Sequence, residues 1–382
     1  MRVGMFSNAY RPVISGVVRS INLFKQGLEA SGHFVAVFAP DTRNYEDHEP
    51  FIFRYSALPL PSGMDYTFPV VVAPQIDWLV PRLKLDVVHA HHPFIVGREA
   101  LSFSRSLRVP LVFTFHTMYH EYTHYIGFET SIVKQIVRRV VGDYARKADR
   151  IIAPSTQVRD MVLPEYNIDL PVDVLPTPVD MSLYPERLAP PLSNPDEITL
   201  IYIGRVAKEK NLDFLLRAFE RTHQEDPRIR LRIVGGGPEF DKITATIRRM
   251  NLSHCVEFTG VVPFEKTAAE LLKADMFVFA STTETQGLVV LEAMAAGLPL
   301  VLVHSQALLD CARPGLDCLT VPEDEAEFAE AILSLVRDPA RAQAMGVSAR
   351  GNARNYSVPV LTERLLDIYQ DTIAAYARDR LI

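Results

Sequence analysis

Short apolar runs alternate with longer stretches of helical periodicity along nearly the whole chain, and few folds tolerate that pattern. Strand-length runs separated by helix-length segments are βαβ units, which build a parallel sheet covered by helices. Strands are expected over 3–7, 34–39, 86–90, 111–115 and 150–153. Helical periodicity over 18–31 stops at Gly32, a helix-ending residue. One α/β domain is therefore complete by about residue 170.

The character then changes. Prolines stand at 171, 176, 178, 185, 190 and 191, with Pro195 just beyond. That density excludes regular helix and marks a linker. A second series follows, with strands expected over 199–204, 229–235, 256–259, 276–280 and 299–303. Helices are expected over 211–223, 240–250, 266–273 and 287–296, and a long amphipathic helix over 361–377. The expected organisation is a Rossmann-like domain over 1–172, a second over 173–358, and a final helix over 359–382. A chain of 382 residues is too long for one ordinary core and suits two. Two such domains imply a cleft, and ligands of open α/β sheets bind beyond the carboxyl ends of the strands.

Composition narrows the function. The net charge of −6 does not suggest a nucleic-acid binder. The charge is uneven: residues 1–175 carry 18 Lys and Arg against 17 Asp and Glu, and the rest 22 against 29. The three cysteines, Cys255, Cys311 and Cys318, lie far from metal-ligand spacing and imply no disulfide framework, so they read as buried apolar groups. The first residues run from an apolar stretch straight into Ser7 and Asn8, as a buried strand does and an export signal does not. No apolar run approaches the roughly 20 residues of a membrane span. A cytoplasmic protein, soluble or peripheral on a membrane, is expected.

Three elements of the second half could hold an anion. Gly204-Arg205-Val206-Ala207-Lys208-Glu209-Lys210-Asn211 joins a strand to a helix. Arg205 could grip one phosphate in a fork and Lys210 act as a point charge on another, or the segment is a solvated charged loop. In Gly235-Gly236-Gly237-Pro238, consecutive glycines let backbone N–H groups approach an anion or a flat base, or simply make a tight turn. The strongest element is Glu284-Thr285-Gln286-Gly287-Leu288 with Glu292 beyond it. Gln286, Gly287 and Leu288 would present N–H groups at a helix N-terminus. Glu292 falls in an otherwise apolar helix, where a carboxylate needs a partner: ribose hydroxyls, or a salt bridge.

These elements resemble the glycosyltransferases of the GT-B fold, in particular the large retaining family 4, over nearly the whole chain. The most specific matches are Gly-Arg-(x)4-Lys-Asn and the two glutamates eight apart. The resemblance implies that Arg205 and Lys210 hold the diphosphate of a nucleotide-sugar donor. It gives Glu284 to the transferred sugar and Glu292 to the ribose. Gln286, Gly287 and Leu288 supply backbone contacts, and groups around Val262 meet the base beside Gly236. It also implies no tightly bound cofactor, no metal in the site, and a final helix that returns to the first domain. No Asp-x-Asp element is placed to carry a metal, and no carboxylate is evident as a covalent nucleophile. The implied reaction is a same-face attack, in which the departing phosphate takes the acceptor proton.

In the first half, the family's glycine-rich loop corresponds to Ser15-Gly16, so Gly16 carries over. His116, after a strand, matches the family's sugar-contacting histidine, although a lone histidine there can be structural. The run from His116 through Tyr119 and Tyr122 to Tyr125 resembles bacterial diacylglycerol glucosyltransferases, which favours UDP-glucose as donor and a lipid acceptor. Its aromatic residues suit lipid headgroups. The basic stretch over 132–150, with Lys134, Arg138 and Arg139, could lie on an anionic membrane or pack as an ordinary surface helix. The remaining alternatives are a soluble sugar or cell-wall precursor as acceptor, and a binding module without turnover. A Rossmann oxidoreductase would need Gly-x-Gly-x-x-Gly, which the chain lacks.

Overall fold

The alternating pattern folds, in a computed structural model that describes residues 1–42, 44–59, 67–71, 73–116, 131–186, 191–192, 194 and 196–380, into two α/β units. The first comprises Met1–Pro178 together with Val358–Ile382, and the second Val179–Ser357.

The first unit contains β1 (Arg2–Phe6), β2 (Phe34–Pro40), β3 (Ile52–Tyr55), β4 (Ala57–Pro59), β5 (Thr67–Pro69), β6 (Val87–Ala90), β7 (Leu111–Thr114), β8 (Arg150–Ala153) and β9 (Val172–Val174). Its sheet is parallel, in the order β3-β2-β1-β6-β7-β8-β9, while β4 and β5 form a separate antiparallel pair. Val3, Met5 and Phe6 are fully buried, as expected of a strand covered on both faces. Phe6 stacks on Phe38 of the neighbouring strand with ring centroids 4.4 Å apart.

The helix Gly16–Ala30 begins where Ser15 Oγ accepts from the Val18 N–H at 3.3 Å, and Gly32 follows its end at φ +78°. Val18, Ile21, Phe24 and Leu28 make its buried face at helical spacing. Against it lies the last helix, Val358–Asp379, which buries Leu361, Leu365 and Tyr369. The close approach is made at Gly27, where a Cβ would sit 2.0 Å from Thr362 Oγ1 and 3.0 Å from its Cβ.

The second unit holds β10 (Ile198–Ile203), β11 (Ile229–Val234), β12 (Val256–Gly260), β13 (Met276–Phe279), β14 (Leu300–Val303) and β15 (Cys318–Val321). Its parallel sheet runs β12-β11-β10-β13-β14-β15. Helices Leu212–Glu225, Phe240–Arg249, Phe264–Lys273, Leu288–Ala295, Glu325–Arg337 and Pro339–Ala353 belong to the same unit. Phe214 meets Phe328 edge-on at 5.6 Å, which locks the first of these onto Glu325–Arg337.

Two parallel-sheet Rossmann-like units match the expected fold class. The first unit extends six residues past the expected boundary at 172, because Val172–Val174 pairs with β8 as the edge strand. Strands β3, β9 and β15 and the helices Glu325–Arg337 and Pro339–Ala353 lie outside the patterns read from sequence. β3 and β9 are short, half-buried edge strands without a full apolar run.

Gly27→Val is expected to lower the stability of the first unit by about 1–3 kcal/mol, the usual cost of overpacking a tight contact. Adding Thr362→Ala should recover part of that loss, because it removes the atom nearest the new methyl groups. Additive losses in urea unfolding of the single and double variants would show that Gly27 does not set this contact.

Candidate active site

In both sheets the strand order reverses direction once. In the second unit the series β10-β11-β12 runs one way from the centre and β13-β14-β15 the other. The crevice outside the carboxyl ends of the two strands at such a reversal is where open α/β sheets bind ligands. The loops after β10 and β13 meet there. Lys210 Nζ lies 2.6 Å from Glu284 Oε1, with the two side chains 17% and 13% exposed. Ser281 Oγ donates to the Glu209 carbonyl at 3.2 Å and joins the same two loops.

Tyr202, at the end of β10, supports this corner from below. It stacks on Phe279 of β13, and its hydroxyl donates to the Arg205 carbonyl at 2.9 Å. Burial, then the charges of Glu284 and Glu209, push its phenol well above the ordinary range, so it remains a donor. Arg205 follows directly, with its side chain exposed.

The glycine loop after β11 packs close to the same place. Gly235 has φ +143°, and a Cβ there would lie 1.9 Å from the Gly204 carbonyl oxygen. Only glycine lets the two loops come so near. Val206 N–H donates to the Gly236 carbonyl at 2.9 Å, and Gly235 N–H to the Gly260 carbonyl at 2.9 Å. Gly236 also faces Val261 after β12, which brings the neighbourhood of Val262 to the same rim.

Gly287 caps the helix Leu288–Ala295 in the left-handed region, at φ +74°. A Cβ there would strike Leu308 Cδ2 at 2.1 Å. Gln286 is buried just before it, and Glu292 is buried within the helix. The structure thus gathers Arg205, Lys210, Gly236, Val262, Glu284, Gln286, Gly287, Leu288 and Glu292 around the carboxyl ends of four adjacent strands.

The first unit has its own reversal, between β1 and β6. His92 follows β6, and its Nδ1 accepts from the Asn8 N–H at 3.2 Å after β1. A row of imidazoles lies beside it. His116 Nε2 is 2.9 Å from His91 Nδ1, and the His91 ring sits 4.2 Å from that of His89. His89 hydrogen-bonds Tyr369 through Nδ1 and Thr114 through Nε2, both at 2.7 Å. A cavity of about 10 Å³, on the order of one water, is lined by His89, His91, His116, Thr114, Ser20 and Leu365. His116 is therefore the outer end of a network anchored on the last helix. Sequence reasoning missed His89, His91 and Tyr369, although three histidines at 89, 91 and 92 after an apolar run were a visible signal.

Gly16 is exposed at the first turn of its helix, with open space where a Cβ would point. Lys134, Arg138 and Arg139 are exposed on the helix Ser131–Ala145, and Arg138 is paired with Glu165. Tyr119 and Tyr122 lie outside the described residues.

Comparison with known proteins decides the family. Residues 14–183 match Glycosyltransferase Family 4, and residues 185–352 match Glycosyl transferases group 1. The alpha-monoglucosyldiacylglycerol synthase of Streptococcus pneumoniae is 32% identical over 81% of this chain and 72% of its own length. The chain is a family 4 glycosyltransferase of the GT-B class. The synthase of the same name from Acholeplasma laidlawii is 29% identical over 98% of both chains, and the glycogen synthase of Mycobacterium tuberculosis 28% over 92% and 89%. Among solved structures, sucrose-phosphate synthase from Thermosynechococcus elongatus shares the fold at TM-score 0.76 and 20% identity, covering 98% of this chain and 100% of that one. Anabaena HepE in complex with UDP and glucose does so at TM-score 0.72 and 18% identity, covering 97% and 99%.

Two measurements follow from this geometry in the glycosyltransferase. Lys210→Ala and Glu284→Ala are each expected to cut turnover by roughly 10²–10³-fold, the usual loss when one preorganised electrostatic contact is removed. Circular dichroism should show both variants folded, and near-normal turnover in both would overturn the assignment of this corner. The second measurement concerns acid. Burial holds His89 down to about 3, and burial with the neighbouring imidazoles holds His91 well below the ordinary 6.5. The unfolded chain binds protons below about 6.5 that these folded groups refuse. For His89, stability is therefore fully present above 6.5 and falls as the pH drops toward 3, by about 1.4 kcal/mol per pH unit, and His91 contributes in the same direction. His89→Gln should flatten the slope of the unfolding midpoint between pH 6.5 and 5, and an unchanged slope would refute the account.

Proposed function

We propose that this glycosyltransferase moves glucose from UDP-glucose to the hydroxyl of diacylglycerol at a membrane surface, with retention of configuration. The observation that carries the lipid assignment is an apolar stripe on the helix Ser131–Ala145. Ile132, Ile136 and Val140 are 67%, 56% and 41% exposed at four-residue spacing, on the side away from buried Val141, Tyr144 and Ala145. Solvent does not reward such a stripe, whereas an acyl boundary does. Arg139 flanks it and could meet an anionic headgroup. Two relatives that match most of the chain bear the name alpha-monoglucosyldiacylglycerol synthase, which supports the acceptor. HepE, of the same fold, was solved with UDP and with UDP-glucose, which supports the donor.

In this reading the Lys210–Glu284 pair opens as the donor enters. Lys210 and Arg205 take the diphosphate, and Glu284, released from its ion pair, accepts from hydroxyls of the sugar. The N–H groups at Gln286, Gly287 and Leu288 add the positive end of a helix to the leaving group. Glu292 accepts from the ribose, and the rim at Gly236 and Val262 meets the base. The resemblance assigns the two remaining donor contacts, of phosphate and of sugar, to Gly16 and His116 of the first unit. The sugar's C1–O bond to phosphate breaks as the acceptor oxygen bonds C1 on the same face, and the acceptor's proton passes to the departing phosphate oxygen. Tyr119 and Tyr122, with Lys134 and Arg139, belong to the acceptor and membrane side. The protein then works as a peripheral enzyme on the inner face of the cell membrane.

The test is turnover of UDP-glucose with diacylglycerol in anionic vesicles, read as UDP release and glycolipid formation. Ile132→Asp with Ile136→Asp should reduce vesicle sedimentation and glycolipid formation by about 10-fold or more, given the roughly 1.5–3 kcal/mol that burying each such side chain gains. UDP binding to the double variant should be unchanged. Equal glycolipid formation by parent and variant would refute membrane docking through this stripe. Turnover on a soluble glucan with none on diacylglycerol would refute the acceptor.

A further inference from the structure

We infer that His223, His254 and Cys255 form a zinc-binding site at the amino-terminal edge of the second sheet. It stands apart from the donor loops, which all lie at the opposite, carboxyl ends of the strands. His223 occupies the last turn of the helix Leu212–Glu225, and His254 with Cys255 immediately precedes β12.

Tautomers fixed by backbone carbonyls carry the argument. His223 Nδ1 lies 2.9 Å from the Ile229 carbonyl oxygen, and His254 Nδ1 lies 3.0 Å from that of Asn251. A carbonyl only accepts, so each Nδ1 must carry a proton and donate. Each neutral ring then presents a lone pair at Nε2. Those two Nε2 atoms face each other at 3.2 Å. Two lone pairs so placed repel unless a cation lies between them. Two nitrogens on one tetrahedral zinc, each about 2.05 Å from it, stand about 3.3 Å apart. The outer-ring contacts that orient zinc-binding imidazoles, an Nδ1–H on a carbonyl, are thus already made for both rings.

Cys255 supplies a third ligand. Its sulfur and the ring nitrogens all lie within 4.8 Å of one another, so a small side-chain rotation completes an N₂S set. A bound dication takes the Cys255 thiolate and releases the thiol proton to solvent. His254 is exposed, which leaves a fourth position open to water. Two neighbouring cations are already neutralised: Arg228 is paired with Asp226 at 2.6 Å and Arg230 with Glu197 at 3.2 Å. Bound zinc would staple the end of the helix Leu212–Glu225 to the entry of β12.

The test uses the full chain without a histidine tag, stripped with chelator and titrated with zinc against a chromophoric competitor. One saturable equivalent is expected, with release of about one proton per zinc. The unfolding midpoint of the second unit should rise by roughly 5–10 °C at a hundredfold excess of zinc over its dissociation constant. The cobalt form should show a thiolate-to-metal charge-transfer band that Cys255→Ser abolishes. His254→Ala should weaken zinc by more than the roughly 10–100-fold that loss of an outer-ring partner costs, while His304→Ala leaves it unchanged. His254 is exposed, so its variant tests the site without threatening the fold. Parent affinity in His254→Ala, no charge-transfer band with cobalt, or no saturable uptake would each overturn the site.

Discussion

The reversal of strand order between β10 and β13 is the constraint on which the donor corner depends. Parallel neighbours connected by crossovers of one hand send their helices to opposite faces on the two sides of a reversal, so the loops above it diverge and leave a crevice. The residues that fill this crevice come from loops 74 positions apart in sequence, and a 2.6 Å ion pair closes it. Glycines at 235 and 287 then let the neighbouring loops and the helix Leu288–Ala295 pack close enough to present backbone N–H groups at the same rim. The chemistry rests on the topology: a lysine and a glutamate on any other pair of strands would be a surface salt bridge of little consequence.

The first unit applies the same topology to different material. At its reversal stand imidazoles, held neutral by burial and tied by Tyr369 to the last helix. A neutral imidazole can both donate and accept, which suits a surface that reads hydroxyl groups. The packing of Gly27 against Thr362 fixes where that helix lies, and the helix in turn fixes His89. A contact between two helices far from the imidazole surface in sequence thereby sets the geometry of His91 and His116.

Much of this was legible in the sequence, for physical reasons. Fully buried parallel strands such as β1, β10 and β13 must be continuous apolar runs, so they announce themselves. The short edge strands β3 and β9 bury less and carry no such run, and β9 lies inside the proline-rich stretch that composition marked as linker. Arg205, Lys210 and Glu284 stood out as charges in loops between apolar runs and Glu292 as a carboxylate in an apolar helix, and the family resemblance rather than the spacing supplied their expected roles. The histidines at 89, 91 and 92 were visible but their meaning was not, because it depends on β6 lying beside β7 and on the last helix returning to the first unit. Neither adjacency is local in sequence.

Charge counting shows where composition stops being informative. The stretch over 132–150 is rich in Lys and Arg, which reads as a basic face. In the structure Arg138 pairs with Glu165, Arg146 with Asp143 and Arg150 with Asp173, so among the described residues at least three of the six Lys and Arg over 132–150 already have a carboxylate partner. Beside its exposed Lys134, Arg138 and Arg139, the helix Ser131–Ala145 leaves Ile132, Ile136 and Val140 exposed on the side away from its packed face. A basic surface would bind a membrane through long-range attraction that salt screens within about 10 Å. An apolar stripe binds by removing hydrocarbon from water, which salt does not weaken. The proposed membrane contact of this helix should therefore persist at ionic strengths that release purely electrostatic binders, because burial of the isoleucines is not screened by salt.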